Sequence, residues 1–325
     1  MINLSTEYAG LKLRNPLIAA SSGLTNTLKK IKKLEEAGVG AVVLKSLFEE
    51  QVDSHSERLN LSSDYPEASD YINAYVEMNH VEKYLDLIRE AKSSCNIPII
   101  ASINCYKVAR WIDFAKSIEE AGADALELNI FIINTGQYGD RHLEESYINI
   151  VREIKKVISI PIIIKMARTV GNLPGLVEKL EAMGGGAVVL CNRFYQLDID
   201  INSMKIVSGP VFSHPDDFSE TLRWTAITSG YVPNFNIACS YGVHQHADII
   251  KGILAGATAM QLCSVLYEEG LDIIPEMITY LEEWMAQNNY KNLQEFRGKL
   301  SYKNIPNPAL YERAQFMKYF SNHKY

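Results

Sequence analysis

A chain of 325 residues, 47% hydrophobic and 22% charged, has the composition of an ordinary soluble globular protein. Its 32 basic side chains against 39 acidic ones leave a net charge of −7, which excludes the general attraction for nucleic acid or anionic membrane that clustered positive charge provides. The longest apolar runs, such as residues 158–166, are broken well short of the ~20 residues of a membrane span. The chain opens without a basic patch followed by an apolar segment. Its cysteines (Cys95, Cys105, Cys191, Cys239 and Cys263) are scattered, odd in number and without a C-x-x-C pair. Reduced thiols and a cytoplasmic location are therefore expected.

In chain order, short apolar runs fall at residues 16–20, 41–44, 97–103, 125–130, 161–165, 187–190, 235–239 and 259–262. Each is continuous rather than alternating, as strands buried on both faces of a parallel sheet are. Amphipathic segments of helical period lie between most of them, at 28–37, 81–93, 109–121, 143–157, 173–183, 219–229 and 247–255. Strands alternating with helices in this way predict a (β/α)8 TIM barrel in a single domain. Four of these helices end in similar glycine junctions, at Gly38, Gly122, Gly184 and Gly256, which reads as structural turning at one end of the barrel. A doubly wound sheet would call for G-x-G-x-x-G after its first strand, and Ala19-Ala20-Ser21-Ser22-Gly23 does not supply it. Loop insertions are expected at 46–79, 131–142 and 193–217, all on the side where barrels build their sites. The barrel is expected to fill residues 1–300, with 301–325 as an extension packing on it or on a dimer partner.

Two lysines end strands, Lys45 after Ala41-Val42-Val43-Leu44 and Lys165 after Pro161-Ile162-Ile163-Ile164. At a barrel mouth an ammonium can neutralise a phosphate or an electron-rich ring, form a Schiff base if desolvated, or simply be a solvated strand end. Asn104, Asn129 and Asn192 recur at the same depth, and their amides suit a heterocycle with alternating N–H and C=O edges. His244 and His246 lack an acidic partner at metal-ligand spacing, so no metal is expected.

At these residues the sequence resembles the dihydroorotate dehydrogenase family, flavin-dependent barrels that oxidise dihydroorotate to orotate in pyrimidine biosynthesis. The likeness runs from Leu4 to about Leu300. It includes Leu11-Lys12-Leu13-Arg14-Asn15-Pro16-Leu17, Ala123-Asp124-Ala125-Leu126-Glu127-Leu128-Asn129 and Phe296-Arg297-Gly298-Lys299-Leu300, the last similar to the closing motif of the soluble class 1 enzymes. Asn192-Arg193-Phe194-Tyr195-Gln196 looks closer to a divergent, dihydroorotate-dehydrogenase-like subgroup. The resemblance implies FMN as cofactor, contacted by Ala20, Ser21, Gly23, Lys45, Asn104, Asn129, Lys165, Gly242 and Ser264. It places Lys45 and Lys165 in catalysis and assigns Asn73, Asn129, Asn134 and Asn192 to the substrate, with Asn79 in the same loop as Asn73. It also implies a small-molecule substrate and a homodimer, and it points away from the membrane-bound class.

Two departures stand out. The family's Cys or Ser base falls on Ile132, whose alkane side chain accepts no proton, so ordinary dihydroorotate oxidation should be slow unless Tyr138, Asp140 or His142 substitutes. The glycine-rich phosphate turns read Cys239-Ser240-Tyr241-Gly242-Val243 and Leu262-Cys263-Ser264. Strain at Tyr241, should it need positive φ, and the change at Cys263 would weaken flavin binding. The expected function is therefore an FMN-dependent oxidoreductase acting on a CH–CH group, with dihydroorotate or an altered substrate. A catalytically inactive flavin- or ligand-binding member is the alternative, and an aldolase using Lys165 is a more distant one.

Overall fold

The computed structural model describes residues 2–49, 66–105, 108–130, 132, 140–167, 171–193 and 196–312, with side chains from 80 and 143 onward in the helices that begin at 66 and 140. An antiparallel hairpin, β1 (Thr6–Tyr8) and β2 (Leu11–Leu13), opens the chain. The barrel strands are β3 (Leu17–Ala19), β4 (Ala41–Val43), β6 (Ile99–Asn104), β7 (Ala125–Ile130), β8 (Ile162–Ala167), β9 (Ala187–Asn192), β12 (Asn236–Cys239) and β13 (Ala259–Leu262). All pair in parallel in that order, and β13 returns to β3, so eight strands close into the expected (β/α)8 barrel. The short β5 (Leu47–Phe48) extends the sheet beside the upper end of β6.

Around the barrel run α1 (Leu28–Ala37), α2 (Pro66–Ser94), α3 (Val108–Glu120), α4 (Asp140–Lys155), α5 (Leu173–Ala182), α6 (Phe218–Tyr231), α7 (His246–Ala255), α8 (Ser264–Glu268) and α9 (Ile273–Gln287). The periodicity at 81–93 marks only the second half of α2, which begins inside the stretch expected to be a loop. The other loop that gains structure is 193–217. It carries a hairpin of β10 (Leu197–Asp200) and β11 (Lys205–Ser208) that pairs with no other strand among the described residues. The glycine ends behave as anticipated: Gly256 closes α7 at φ 116°, and a Cβ there would lie 2.3 Å from Ser229 Oγ.

Successive strand residues point to opposite faces, so the barrel has two cores. Outward-facing side chains such as Val42, Leu126, Leu128 and Ile164 pack beneath the helices. The inward set begins with Ile18, Val43, Ile100, Ala125, Ile163, Ala187 and Ala259, closed from below by Tyr8, Ala9 and Leu13 of the opening hairpin. Two residues further along, the interior turns polar. Ser102 follows Ile100, Glu127 follows Ala125, Lys165 follows Ile163 and Gln261 follows Ala259, and all four are buried. Asn104 and Asn129 come next. This gradient directs the chemistry to the C-terminal ends of the strands.

Beyond α9, Phe296 is fully buried and residues 301–312 lie against α6. Tyr302 N–H donates to Ala226 O at 2.9 Å, and the Tyr231 and Tyr302 rings stack 5.4 Å apart. Among the described residues no helix is long and apolar enough to cross a membrane.

Candidate active site

At the C-terminal end of the strands lies a cavity of about 290 Å3, near the lower end of the ~300–1,000 Å3 typical of ligand sites. Ala20, Ser21, Lys165, Asn192 and Ser264, all expected at the site, line it together with Tyr241 and Cys263. Lys165 is 6% exposed. Its Nζ donates to Gln261 Oε1 at 3.0 Å and stands 3.6 Å from Glu127 Oε1, while Gln261 Nε2 donates to Glu127 Oε2 at 2.6 Å.

The three asparagines form a connected chain. Asn104 Nδ2 donates to the Asn129 carbonyl at 2.7 Å, and Asn192 Nδ2 donates to Asn129 Oδ1. Of the three, only Asn192 reaches the cavity lining, and the other two fix it from behind. A second polar chain runs down another wall. Ser21 Oγ is 3.0 Å from Ser46 Oγ, which is 2.7 Å from Ser102 Oγ, and Ser102 N–H donates to the buried Tyr84 hydroxyl at 2.8 Å.

A third cluster stands where the family's phosphate turns are expected. Ser213 Oγ lies 2.9 Å from His244 Nε2 and 3.0 Å from Ser264 Oγ, and Ser264 Oγ also accepts from Ser213 N–H. His244 Nδ1 faces Glu268 Oε2 at 3.3 Å. The Asp248 carboxylate accepts from the amides of His244 and Gln245 and so fixes the start of α7. Burial pushes the Cys263 thiol up, against the opposing charge of Lys165 and a hydrogen bond from Ser22, so it stands in the wall as a neutral group.

The remaining expectations fall out differently. Lys45 is exposed just past β4 and does not line the cavity. Gly23 opens a 3-10 turn, where a Cβ would meet the Tyr267 hydroxyl at 2.8 Å. The strain anticipated at Tyr241 does not arise. Positive φ (79°) falls on Gly242 instead, where a Cβ would lie 2.2 Å from Phe218 N. Tyr241 is 9% exposed and its carbonyl accepts from Thr221 Oγ1 at 2.8 Å. Ile132 is half-buried against the outer core. Asn134 and Tyr138 lie outside the described residues, as do the side chains of Asn73, Asn79, Asp140 and His142. Residue reasoning passed over Glu127, Gln261 and Ser213. The first two were findable, because each is a polar residue at an inward position of an otherwise apolar strand.

A closed parallel barrel with a polar cavity at the C-terminal ends of its strands, a tethered buried lysine and the Asn192 amide in its wall defines a barrel with a site for a small ligand. The sequence profile described as dihydroorotate dehydrogenase matches residues 3–212. Among similar curated proteins, one from Thermoplasma volcanium is 29% identical over 307 residues, covering 92% of this chain and 98% of its own. One from Methanosarcina acetivorans is 27% identical over 304 residues (89% and 93%), and one from Pyrococcus abyssi 26% over 303 (91% and 98%). All three are described as the catalytic subunit of dihydroorotate dehydrogenase B (NAD(+)). The chain belongs to the dihydroorotate dehydrogenase family.

Proposed function

We propose that the protein is an FMN-dependent oxidoreductase of the dihydroorotate dehydrogenase type, acting on dihydroorotate or a closely related cyclic amide. The observation that carries this reading is the placement of Lys165: a buried ammonium, held from two other strands, opening onto the cavity beside Asn192. A planar, electron-accepting heterocycle fits that donor set, since the ammonium favours negative charge developing beside it and the amides match N–H and C=O edges. Lys165, Ala20, Ser21 and Asn192 would hold the ring. Ser213 and Ser264 bring two hydroxyls to a wall of the cavity, with the His244 imidazole behind Ser213, an arrangement suited to the cofactor's phosphate. When bound, FMN supplies two-electron acceptance at a fixed position.

The chain's own part is then to orient and to exclude water. The Asn104–Asn129–Asn192 chain fixes the amide that meets the substrate's polar edge. Ile132, at the place of the family's base, contributes no proton acceptor, so removal of the substrate proton falls to another group and turnover is slow.

That the relatives are described as the catalytic subunit of an NAD(+)-linked enzyme supports work beside a separate partner subunit, with NAD+ as acceptor. We also infer a homodimer. On β10 and β11, Leu197, Ile199 and Ile206 share one face of a two-stranded ribbon and are 59–72% exposed. Such a ribbon is marginal alone, and an isologous contact with a second copy would cover it. Cytoplasmic pyrimidine synthesis is the setting that fits.

The visible spectrum of the purified protein, followed by anaerobic addition of dihydroorotate, tests the function. A yellow protein that bleaches is expected. One that stays yellow favours the inactive flavin-binding alternative, and a colourless protein that takes up no FMN overturns both.

A further inference from the structure

We propose that Glu127 and Gln261 are positioning residues for Lys165, holding its ammonium at the floor of the cavity and supplying its counter-charge. Lys165 comes from β8, Glu127 from β7 and Gln261 from β13, so three strands meet at one ammonium. Glu127 and Gln261 are completely buried and touch no solvent.

The arrangement is directional. Gln261 turns its oxygen to Lys165 Nζ (3.0 Å) and its nitrogen to Glu127 Oε2 (2.6 Å), so the carboxylate fixes which way the amide points. Ser240 Oγ, 3.4 Å from the same Gln261 oxygen, reinforces that orientation. Glu127 Oε1, at 3.6 Å from Nζ, is too far for a hydrogen bond and has no hydrogen-bond partner among the described residues, yet it is close enough to act as the ammonium's counter-charge. The amide therefore keeps the two charges near each other without direct contact. A lysine bonded straight to a carboxylate would be drawn down into the barrel, whereas one held by an interposed amide stays at the cavity surface.

Both charges are felt by their neighbours. The Tyr8 and Tyr84 phenols are pushed up mainly by burial and further by Glu127, while Lys165 opposes the rise at Cys263. The floor thus presents a fixed, compensated cation. Anything resting on it meets an ammonium donor in a set place.

Glu127→Gln, Lys165→Met and their combination, compared by urea unfolding, test the coupling. Glu127→Gln strands a buried ammonium, so its midpoint should fall by ~1 M or more, and adding Lys165→Met should restore most of that loss. Additive losses overturn the proposal. The second readout is the rate at which Lys165 is acetylated by acetic anhydride, followed by peptide mass spectrometry with Lys45 as internal reference. Without the carboxylate that holds the amide and the ammonium in place, the amine is released from its tether to the reagent, and its relative rate should rise about tenfold. An unchanged rate counts against the idea. Should Glu127→Gln fail to fold, Gln261→Met keeps the volume and gives the same two readouts, with a rise of about threefold expected and an unchanged rate again contrary. The inference deepens the FMN reading but does not stand on it. In FMN-loaded protein, Glu127→Gln should tighten sulfite binding about tenfold, whereas protein that takes up no FMN defeats the cofactor reading and leaves coupling and labelling to decide this one.

Discussion

Ser213 and His244, 31 residues apart in the chain, meet at the cavity wall with Oγ 2.9 Å from Nε2, and Glu268 holds the other ring nitrogen at 3.3 Å. The imidazole is fixed from both sides and does not itself line the cavity, so it acts by orienting the Ser213 hydroxyl, which does. His244→Ala should therefore weaken FMN binding about tenfold, equivalent to ~1.4 kcal/mol. Quenching of FMN fluorescence on titration measures it, and an unchanged dissociation constant would show that the cofactor phosphate is held elsewhere.

Ile132 supplies the second test. A positioned proton acceptor is worth ~10²–10⁴ in rate, so Ile132→Cys should raise dihydroorotate turnover at least tenfold if Ile132 occupies the base position. Stopped-flow bleaching of the flavin reads the chemical step directly. No gain would mean that Ile132 is not in that position.

The turn at Gly242 makes a prediction about stability. Its φ of 79° and the 2.2 Å approach of a Cβ to Phe218 N leave no room for a side chain. Gly270 has a similar φ of 82° with nothing within 4 Å. Gly270→Ala should cost only the ~1–2 kcal/mol of a left-handed alanine, and Gly242→Ala clearly more. Equal urea midpoints for the two variants would contradict the packing described for this turn.

The buried thiols make stability depend on pH. Burial pushes the Cys239 thiol up from 9.0 to about 12, with Thr225 opposing the rise and Cys191 adding to it. Below pH 9.0 the thiol is neutral in both folded and unfolded chains and its titration shifts nothing. Between pH 9.0 and about 12 the unfolded chain ionises while the folded one keeps its proton, so stability falls as pH rises, by up to ~1.4 kcal/mol per unit. Comparing unfolding at about pH 8 and about pH 10.5 should show a smaller loss in Cys239→Ala than in the parent.

Much of the barrel was legible because continuous apolar runs and helical periods are local signals. Residues 125–130 and 259–262 were read to the residue. The same rule concealed the site's key partners. A run judged by its apolar content treats Glu127 and Gln261 as interruptions, although a period of two inside a closed barrel makes them the inward-facing layer. The ribbon at 197–208 was overlooked for a related reason: Leu197-Asp198-Ile199-Asp200 alternates as a half-buried strand does, but it followed a strand end and was taken for loop. Ser213, His244 and Glu268 carry no spacing signal at all, since their meeting is made by the turns that follow β9, β12 and β13. Lys45 shows the opposite limit. Its strand was read correctly, yet the end of a strand does not say where the next side chain turns.

The sealed floor formed by Tyr8, Ala9 and Leu13 has a kinetic corollary. With the lower end stoppered by aromatic and aliphatic carbon, small molecules reach Lys165 from the opposite, polar end among the described residues. Two compounds that both need Lys165 must therefore queue, one departing before the other enters. Double-reciprocal plots for such a pair should run parallel, a trait inherited from an N-terminal ribbon that lies outside the cavity lining.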